Sequence, residues 1–399
     1  MPKVKPDILR WARETAHFSL EGAAKKLGLG SHKNATPVDR MLKLESGDEV
    51  PSRPLLLKMA KHYRRPLLAF YLSKPPRKAD RGQDFRTLPD SPSPMSDVLL
   101  DSLIRDIHTR QGLIRVVLED DEEVQPLSFV GSVTMSDGPQ KVVSAIQSTL
   151  KIDLIEYRAQ NSVDEAFKML RSRTEAVGIF VLLMGNLGTH HTNISLETFR
   201  GYALADDIAP FVVINEHDSH GAWPFTLIHE LAHIWLGLTG VSGLDIEHSI
   251  EKFCNEVAGE FLLPKGELAD LAVSDETFLE DAQSLISDFA LHRNISSTMV
   301  AYRLYLEGRI GWTQWSKLNE AFRALWISHR HKQKERSKDQ GGGPSYYIVR
   351  AHRVGSNLIG TVGRLMAAGS LTTSKAGKVL GVNAKNVKRL VDTVSAAPL

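Results

Sequence analysis

The sequence has almost no cysteine and no long apolar segment. Cys254 is the single cysteine among 399 residues. This excludes an internal disulfide framework and is typical of proteins in a reducing compartment. No apolar run approaches the roughly 20 residues that a membrane-spanning helix needs, and residues 1–6 lack the apolar stretch of a secretory signal. We therefore expect a cytoplasmic protein with no membrane partner.

Charge is distributed unevenly along the chain, although the net charge is only +2. Residues 1–78 contain 17 Lys/Arg and 7 Asp/Glu, residues 330–399 contain 13 and 3, and residues 79–329 contain 19 and 37. Basic segments are typical of nucleic-acid contacts, whereas an acidic segment is not. The alternative is ordinary solvated charge with a basic tail. The pattern favours DNA contact in the basic segments and another function in the middle.

The most informative motif is His229-Glu230-Leu231-Ala232-His233. Two histidines four residues apart share one face of a helix and can hold one Zn²⁺, and the glutamate between them can take a proton from a water molecule beside the metal. The surrounding residues are apolar, so the helix is expected to be buried. Buried polar groups need partners, and a metal supplies them. The alternative is a histidine pair satisfied by side chains and backbone.

A catalytic Zn²⁺ wants a third protein ligand and one open position. Glu251, on a helical segment that follows the motif, is the predicted third ligand. Asn255 lies one turn further along the same face and is predicted to orient a ligand histidine from behind. Alternative third ligands remain open, namely Glu247, Glu256 and Glu260, with His248 ranked below Glu251.

A small sheet is expected directly before the metal helix. Three short apolar segments, 177–183, 199–204 and 211–215, have the character of strands. An edge strand of such a sheet can pair with an extended peptide and present its scissile bond to the metal. The fold class is therefore predicted to be α+β.

The N-terminal segment predicts a compact bundle of short helices. Residues 6–72 have helical stripes separated by tight turns, as in helix-turn-helix domains that bind DNA. The segments 19–28 and 42–47 resemble the Xre-type helix-turn-helix family, although the loop before the third helix is longer than usual. A protein–protein module is the alternative. Candidate DNA contacts are Lys33, Asn34, Arg40 and Lys43.

The middle of the chain resembles the ImmA/IrrE family of metallopeptidases. The residues that carry the resemblance are Phe199-Arg200-Gly201-Tyr202-Ala203, the run from Ala209 to Asn215, Phe225 to His233, and Glu251 to Ala258. The resemblance implies a zinc-dependent endopeptidase that cleaves a repressor or antitoxin-like regulator. It also implies a fusion of a helix-turn-helix domain, a peptidase domain and a tail.

Composition and the resemblance together predict five segments. They are an Xre-like helix-turn-helix domain at 1–76, a linker and connecting helix at 77–110, a zincin-like metallopeptidase domain at 111–329, a basic glycine-rich linker at 330–343, and a small helical domain at 344–399. Residues 371–390 again have a helix-turn-helix pattern. DNA binding there and a packing or dimer module are equally compatible with that pattern, and a homodimer stays open.

Two functions follow from these patterns. The first is a DNA-associated zinc endopeptidase in which His229, His233 and Glu251 hold the metal and Glu230 moves the proton. The second is a non-catalytic transcriptional regulator or antitoxin whose zinc site is structural or sensory. The first also needs a donor for the oxyanion, and the sequence does not choose among His217, His220 and Tyr202.

Overall fold

The described residues form two compact units, one within residues 4–71 and 94–105 (the N-terminal unit) and one within residues 106–395 (the main unit). A computed structural model describes residues 4–16, 18–31, 35–63, 65, 67–71, 94–120, 124–196, 198–238, 244–339 and 345–395. The helices of the N-terminal unit are α1 (Pro6–Glu14), α2 (Leu20–Leu27), α3 (Pro37–Ser46) and α4 (Arg53–His62), and α5 (Pro94–Glu119) begins there and ends in the main unit.

Local capping fixes the ends of the N-terminal helices. The Ser19 side chain accepts a hydrogen bond from the Gly22 backbone at the start of α2, and Gly28 ends this helix in the left-handed conformation at φ 67°. Thr36 and Asp39 form a reciprocal capping box at the start of α3. The helices enclose an apolar core that includes Leu9, Leu27, Met41, Leu44 and Met59.

The main unit places three helices before a small sheet. The elements are α6 (Pro139–Leu150), α7 (Leu154–Arg158), α8 (Val163–Ala176), β1 (Phe180–Leu183), β2 (Gly201–Leu204) and β3 (Phe211–Ile214). The strand order is β1-β3-β2, with β1 parallel and β2 antiparallel to β3. Gly201 and Leu183 both pair with Ile214, so the start of β2 meets the carboxyl ends of β1 and β3.

Five longer helices follow the sheet. They are α9 (Trp223–Trp235), α10 (Leu244–Leu262), α11 (Leu279–Leu291), α12 (Ser297–Leu306) and α13 (Trp312–Asp339). The main core joins one face of the sheet to α6, α8, α9, α10 and α12. Alternation along the strands directs Val181, Ala203, Val212 and Ile214 into this core.

The C-terminal segment forms α14 (Tyr346–Val354), α15 (Ser356–Ala367), α16 (Thr373–Leu380) and α17 (Ala384–Ser395). Of these, α14 packs against β1 and α15 against α8, while α16 and α17 pack on α14 and α15. Arg171 on α8 is buried beside Glu175, 3.0 Å away, and donates to the backbone oxygen of His352. The other Glu175 oxygen accepts from the Ser356 hydroxyl and the Asn357 backbone. Gly355, at φ 88°, lies so close to this pair that a Cβ would overlap Glu175. An ion pair between Arg353 and Glu216, 2.5 Å apart, also holds this segment.

The mixed, helix-rich architecture with a three-stranded sheet agrees with the predicted α+β class. One difference concerns the predicted linker at 330–343, because α13 continues as helix to Asp339. Lys, Arg, Glu and Gln have good helix propensity, so the basic composition that suggested a linker also supports a helix. Among the described residues, no helix has both the length and the apolar character to span a membrane.

Candidate metal centre

The α9 helix is buried on all sides, which agrees with its largely apolar sequence. Thirteen residues form it, and twelve of them, including His229, Glu230 and His233, are buried. The helix packs against β2 and β3 on one side and α10 on another. A helix that is apolar all round belongs in a core, so its three ionisable side chains, His229, Glu230 and His233, are a local exception and need partners.

The three predicted ligands converge on one point. Nε2 of His229 and Nε2 of His233 lie 3.2 Å apart. Each also lies 3.1 Å from a different carboxylate oxygen of Glu251 on α10. The spacing of four residues puts both rings on one face of α9, and the packing of α10 brings the carboxylate between them.

This donor set fits a zinc ion. Two imidazole nitrogens and a carboxylate are the ligands of catalytic zinc sites, and metal–ligand distances of about 2.0–2.2 Å in a tetrahedron imply ligand atoms about 3.3–3.5 Å apart. The observed separations of 3.1–3.2 Å are close to that edge length. In addition, the buried Oε2 of Glu251 has no hydrogen bond of normal geometry among the described residues. The three side chains could therefore hold a metal ion.

The electrostatics of the cluster favour positive charge at its centre. Burial alone would raise the pKa of Glu251, but contacts with His229 and His233 lower the pKa to about 2. Burial disfavours the charged form of His233, yet Cys254, Glu251 and Glu230 together raise the pKa of this ring well above its ordinary value. The two shifts are reciprocal, because a protonated histidine and the ionised Glu251 carboxylate stabilise each other in this buried pocket.

Glu230 lies against the first residue of β2. A Cβ at Gly201 would overlap the Oε1 atom of Glu230 and would come within 2.6 Å of Cγ2 of Thr226. Only glycine therefore leaves room for the Glu230 carboxylate between α9 and the sheet. Neither the metal motif nor strand periodicity predicts this role for Gly201, because it depends on the register of β2 against β3.

The comparison with known families bears on this part of the chain. Residues 184–305 match the IrrE N-terminal-like domain, Peptidase_M78. No curated protein and no solved structure gives a significant match. The matched residues contain β2, β3, α9, α10 and nearly all of α12, and thus every predicted metal ligand. The match supports a metallopeptidase of the ImmA/IrrE type.

The competing glutamates in the Peptidase_M78 segment have other partners. Glu256 lies 3.6 Å from Lys265, and Glu260 lies 3.5 Å from Arg303 on α12. The side chains of Glu247 and His248 lie outside the described residues. Of the candidates that the structure describes, Glu251 is the one that reaches both histidines.

Two residues of α10 lie close to Glu251 in the sequence, Asn255 and Cys254. Oδ1 of Asn255 is buried without a hydrogen-bond partner among the described residues, so its predicted orienting role stays a prediction. Cys254 is fully buried and lies within hydrogen-bonding reach of His233, and burial raises the pKa of its thiol. From the sequence, Cys254 indicated only a reducing compartment. Its position three residues after Glu251, and thus on a similar face of the helix, could have indicated that it lies near the metal ligands.

A buried asparagine organises the loops at the metal end of the sheet. The side-chain amide of Asn215 donates to the backbone oxygens of Ile194 and Phe199, and its Oδ1 accepts from the His217 backbone. The Asn215 backbone also donates to Arg200. These bonds hold the loop before β2, and with it Gly201, in place beside α9.

The candidate oxyanion donors lie in different settings. Tyr202 follows Gly201 and thus points to the opposite face of the sheet, where its hydroxyl is 3.3 Å from His108. His220 is exposed, lies 2.6 Å from Asp164 and stacks on Trp223. His217 stands beside Gly185 at the carboxyl end of β1. Of the three, His217 is the one in the loop cluster that Asn215 organises.

The candidate DNA contacts of the N-terminal unit fall into three groups. Lys33 and Asn34 lie outside the described residues. Arg40 lies 2.9 Å from Glu49 and also contacts the Gly30 backbone. Lys43 is exposed on α3. Their contact with DNA stays a prediction.

Proposed function

We propose that this protein is a DNA-associated, zinc-dependent endopeptidase that cleaves a regulatory protein such as a repressor. The observation that carries the peptidase proposal is the convergence of His229, His233 and Glu251 beside the buried carboxylate of Glu230. The Peptidase_M78 match over the same residues supports it independently.

In this proposal, His229, His233 and Glu251 hold Zn²⁺ through the three groups that converge. Zinc supplies Lewis acidity, which lowers the pKa of water towards neutrality and polarises a carbonyl. Glu230 takes the proton of the attacking water and passes it to the leaving amine. Gly201 leaves a narrow space for the Glu230 carboxylate between α9 and the sheet, so that the carboxylate serves as a proton carrier of constant geometry.

The sheet supports the binding of an extended peptide. β2 is an edge strand of the described sheet, and it runs along α9 with its first residue against Glu230. A peptide that pairs with the outer edge of β2 would place its backbone near Glu230, because added strands follow the direction of the edge strand. Main-chain pairing is independent of side chains, which suits a protein substrate.

DNA association is proposed through the N-terminal unit. Its short helices α2 and α3 have the order and length of a helix-turn-helix pair, and Lys43 is exposed on the second helix. A peptidase attached to DNA would meet DNA-bound regulators at high local concentration. A repressor or antitoxin-like protein is therefore the proposed substrate class.

The substitution Glu230→Gln tests the peptidase proposal. The variant should retain zinc, because the three ligand groups stay, and should lose cleavage, because an amide cannot accept the proton. Zinc is measured by elemental analysis of the purified full-length protein. Cleavage is measured by mass spectrometry of new N-termini in a proteome-derived peptide library.

Glu256→Gln is the matched control, since Glu256 has the same charge on α10 but contacts Lys265. It should cleave like the wild type. Cleavage by Glu230→Gln at the wild-type rate would contradict the mechanism. Stoichiometric zinc in a wild-type protein that cuts no peptide would favour the non-catalytic regulator instead.

A further inference from the structure

The C-terminal segment contains a tight helix-turn-helix. Thr372 caps α16 by accepting from the Lys375 backbone, and Gly381 ends this helix in the left-handed conformation at φ 62°. The Val382 backbone donates to Gly377, so only three residues separate α16 from α17. A Cβ on Gly377 would lie 2.8 Å from the Val382 oxygen and 3.2 Å from the Ala384 nitrogen. The two helices therefore cross at a close, fixed approach, as in DNA-binding pairs of this kind.

The inner faces of both helices are fully used in packing. Val379 and Leu380 on α16 and Val387 and Leu390 on α17 are buried. They pack on α14 and α15, where Leu358, Ile359 and Val362 are buried. In addition, Arg350 donates to the backbone oxygens of Leu380 and Gly381 and fixes the turn on α14. The pair is thus held rigidly, and its outer faces remain exposed.

The outer faces are strongly and uniformly basic. Residues 344–399 contain eight Lys/Arg and one Asp/Glu, Asp392. Arg350 and Arg353 have partners within the main unit. Four lysines are exposed and form no ion pair within the described part of the chain: Lys375, Lys378, Lys385 and Lys388. Arg389 is also exposed and lies over the Tyr347 ring.

The composition of this surface favours nucleic acid over protein. No large apolar side chain is exposed between residues 372 and 395. Protein interfaces have an apolar, aromatic-rich core with few charges, whereas protein–DNA interfaces are polar and positively charged. The exposed Asn383 and Lys385 lie directly before and at the start of α17, the part of a recognition helix that reaches base edges.

We propose that residues 372–395 bind duplex DNA, with α17 in the major groove and the lysines of α16 and α17 on phosphates. This site is separate from the proposed N-terminal contact and from the metal centre. It gives the basic C-terminal segment a function, and it makes the protein a DNA binder with two contact modules. Neither peptidase activity nor metal binding is needed for this contact.

The double substitution Lys385→Ala/Lys388→Ala in the full-length protein tests the proposal. Binding to a fluorescein-labelled 30-base-pair duplex of mixed sequence is followed by anisotropy over a range of salt concentrations. Each lost phosphate contact lowers the slope of log K against log salt by about 1, so the slope should fall by about 2. Affinity near 0.1 M salt should fall by roughly ten- to a hundredfold.

Lys168→Ala/Lys317→Ala is the matched control. It removes the same two positive charges from exposed positions elsewhere in the main unit, on α8 and α13. It should bind like the wild type. Wild-type affinity and slope in the Lys385→Ala/Lys388→Ala variant would overturn the proposal, as would an equal loss in the control. Zinc content and the unfolding midpoint should match the wild type, which separates loss of DNA contact from misfolding. A failed peptidase assay would leave this result unaffected.

Discussion

The candidate metal centre and the C-terminal helix pair of α16 and α17 use charge in opposite ways. At the metal centre, His229, Glu230 and Glu251 are buried and converge on one point. On α16 and α17, the lysines are exposed and spread over an outer face. Buried charge interacts strongly, since water does not screen it, whereas exposed charge is screened by salt. Single substitutions in the first region should therefore have large effects on zinc binding and cleavage. Substitutions in the second region should each have a small effect on DNA binding that depends on salt.

The largest expected effect is the loss of the metal in His233→Ala. Removal of one of three ligands should reduce bound zinc from one equivalent to near zero and abolish cleavage, because catalytic zinc sites use three protein ligands and two would remain. Elemental analysis after dialysis measures the zinc content. His220→Ala, an exposed histidine paired with Asp164, should keep the metal. Stoichiometric zinc in His233→Ala would contradict the ligand assignment.

Buried charge away from the metal sharpens the comparison. Glu175→Ala leaves Arg171, whose pKa burial already lowers, without its ionic partner. Breaking a buried pair costs about 3–5 kcal/mol, so the free energy of unfolding should drop by roughly that amount. Glu156→Ala breaks a half-exposed pair with Arg173 and should cost under about 1 kcal/mol. Chemical denaturation compares the two. Equal losses would show that burial does not decide the effect.

The Gly201→Ala variant tests how tightly the carboxylate of Glu230, the proposed proton carrier, is held in place. A methyl group there collides with Glu230 and Thr226, so the carboxylate must move, and displacements near 1 Å can cost about a hundredfold in rate. Cleavage should fall by at least about tenfold while zinc is retained. Gly112→Ala on α5, where a Cβ meets nothing, should cleave normally. Unchanged cleavage in Gly201→Ala would contradict the positioning role.

The smallest expected effect compares the two proposed DNA contacts, one on the helix pair α2 and α3 and one on the helix pair α16 and α17. On α3, Lys43 shares its surroundings with Asp39, Asp48 and Glu49, and Arg40 is paired with Glu49. On α17, the acidic residue nearest to Lys385 in the sequence is Asp392, seven positions later. Lys385→Ala should lower the salt slope of DNA binding by about 1, and Lys43→Ala should lower it by less. A larger change for Lys43→Ala would reverse the order of the two contacts.

Much of the metal site was predictable because its chemistry is local. His229, Glu230 and His233 fall within five residues, and the helix repeat alone puts both histidines on one face. Glu251 could be predicted as a ligand because the sequence that follows the motif has the pattern of a second helix, and Glu251 lies on that helix. The strands were predictable from short apolar runs, and the structure places strands in all three segments.

The remaining features depend on long-range packing that no periodicity encodes. Gly201 matters because the register of β2 brings it against Glu230, and Cys254 lies beside His233 because α10 packs on α9. The attachment of the C-terminal helices through Glu175 and Arg353 joins residues more than 130 positions apart. Strand register and helix crossing set these contacts, so they appear only once the fold is assembled.

X-ray absorption at the zinc edge of the full-length protein tests the central claim most directly. The account predicts one zinc per chain, with nitrogen and oxygen neighbours at about 2.0–2.2 Å and the multiple scattering of two imidazoles. It predicts no sulfur neighbour, although Cys254 lies next to His233. A sulfur shell near 2.3 Å, or a protein that binds no zinc at all, would contradict the assignment of His229, His233 and Glu251.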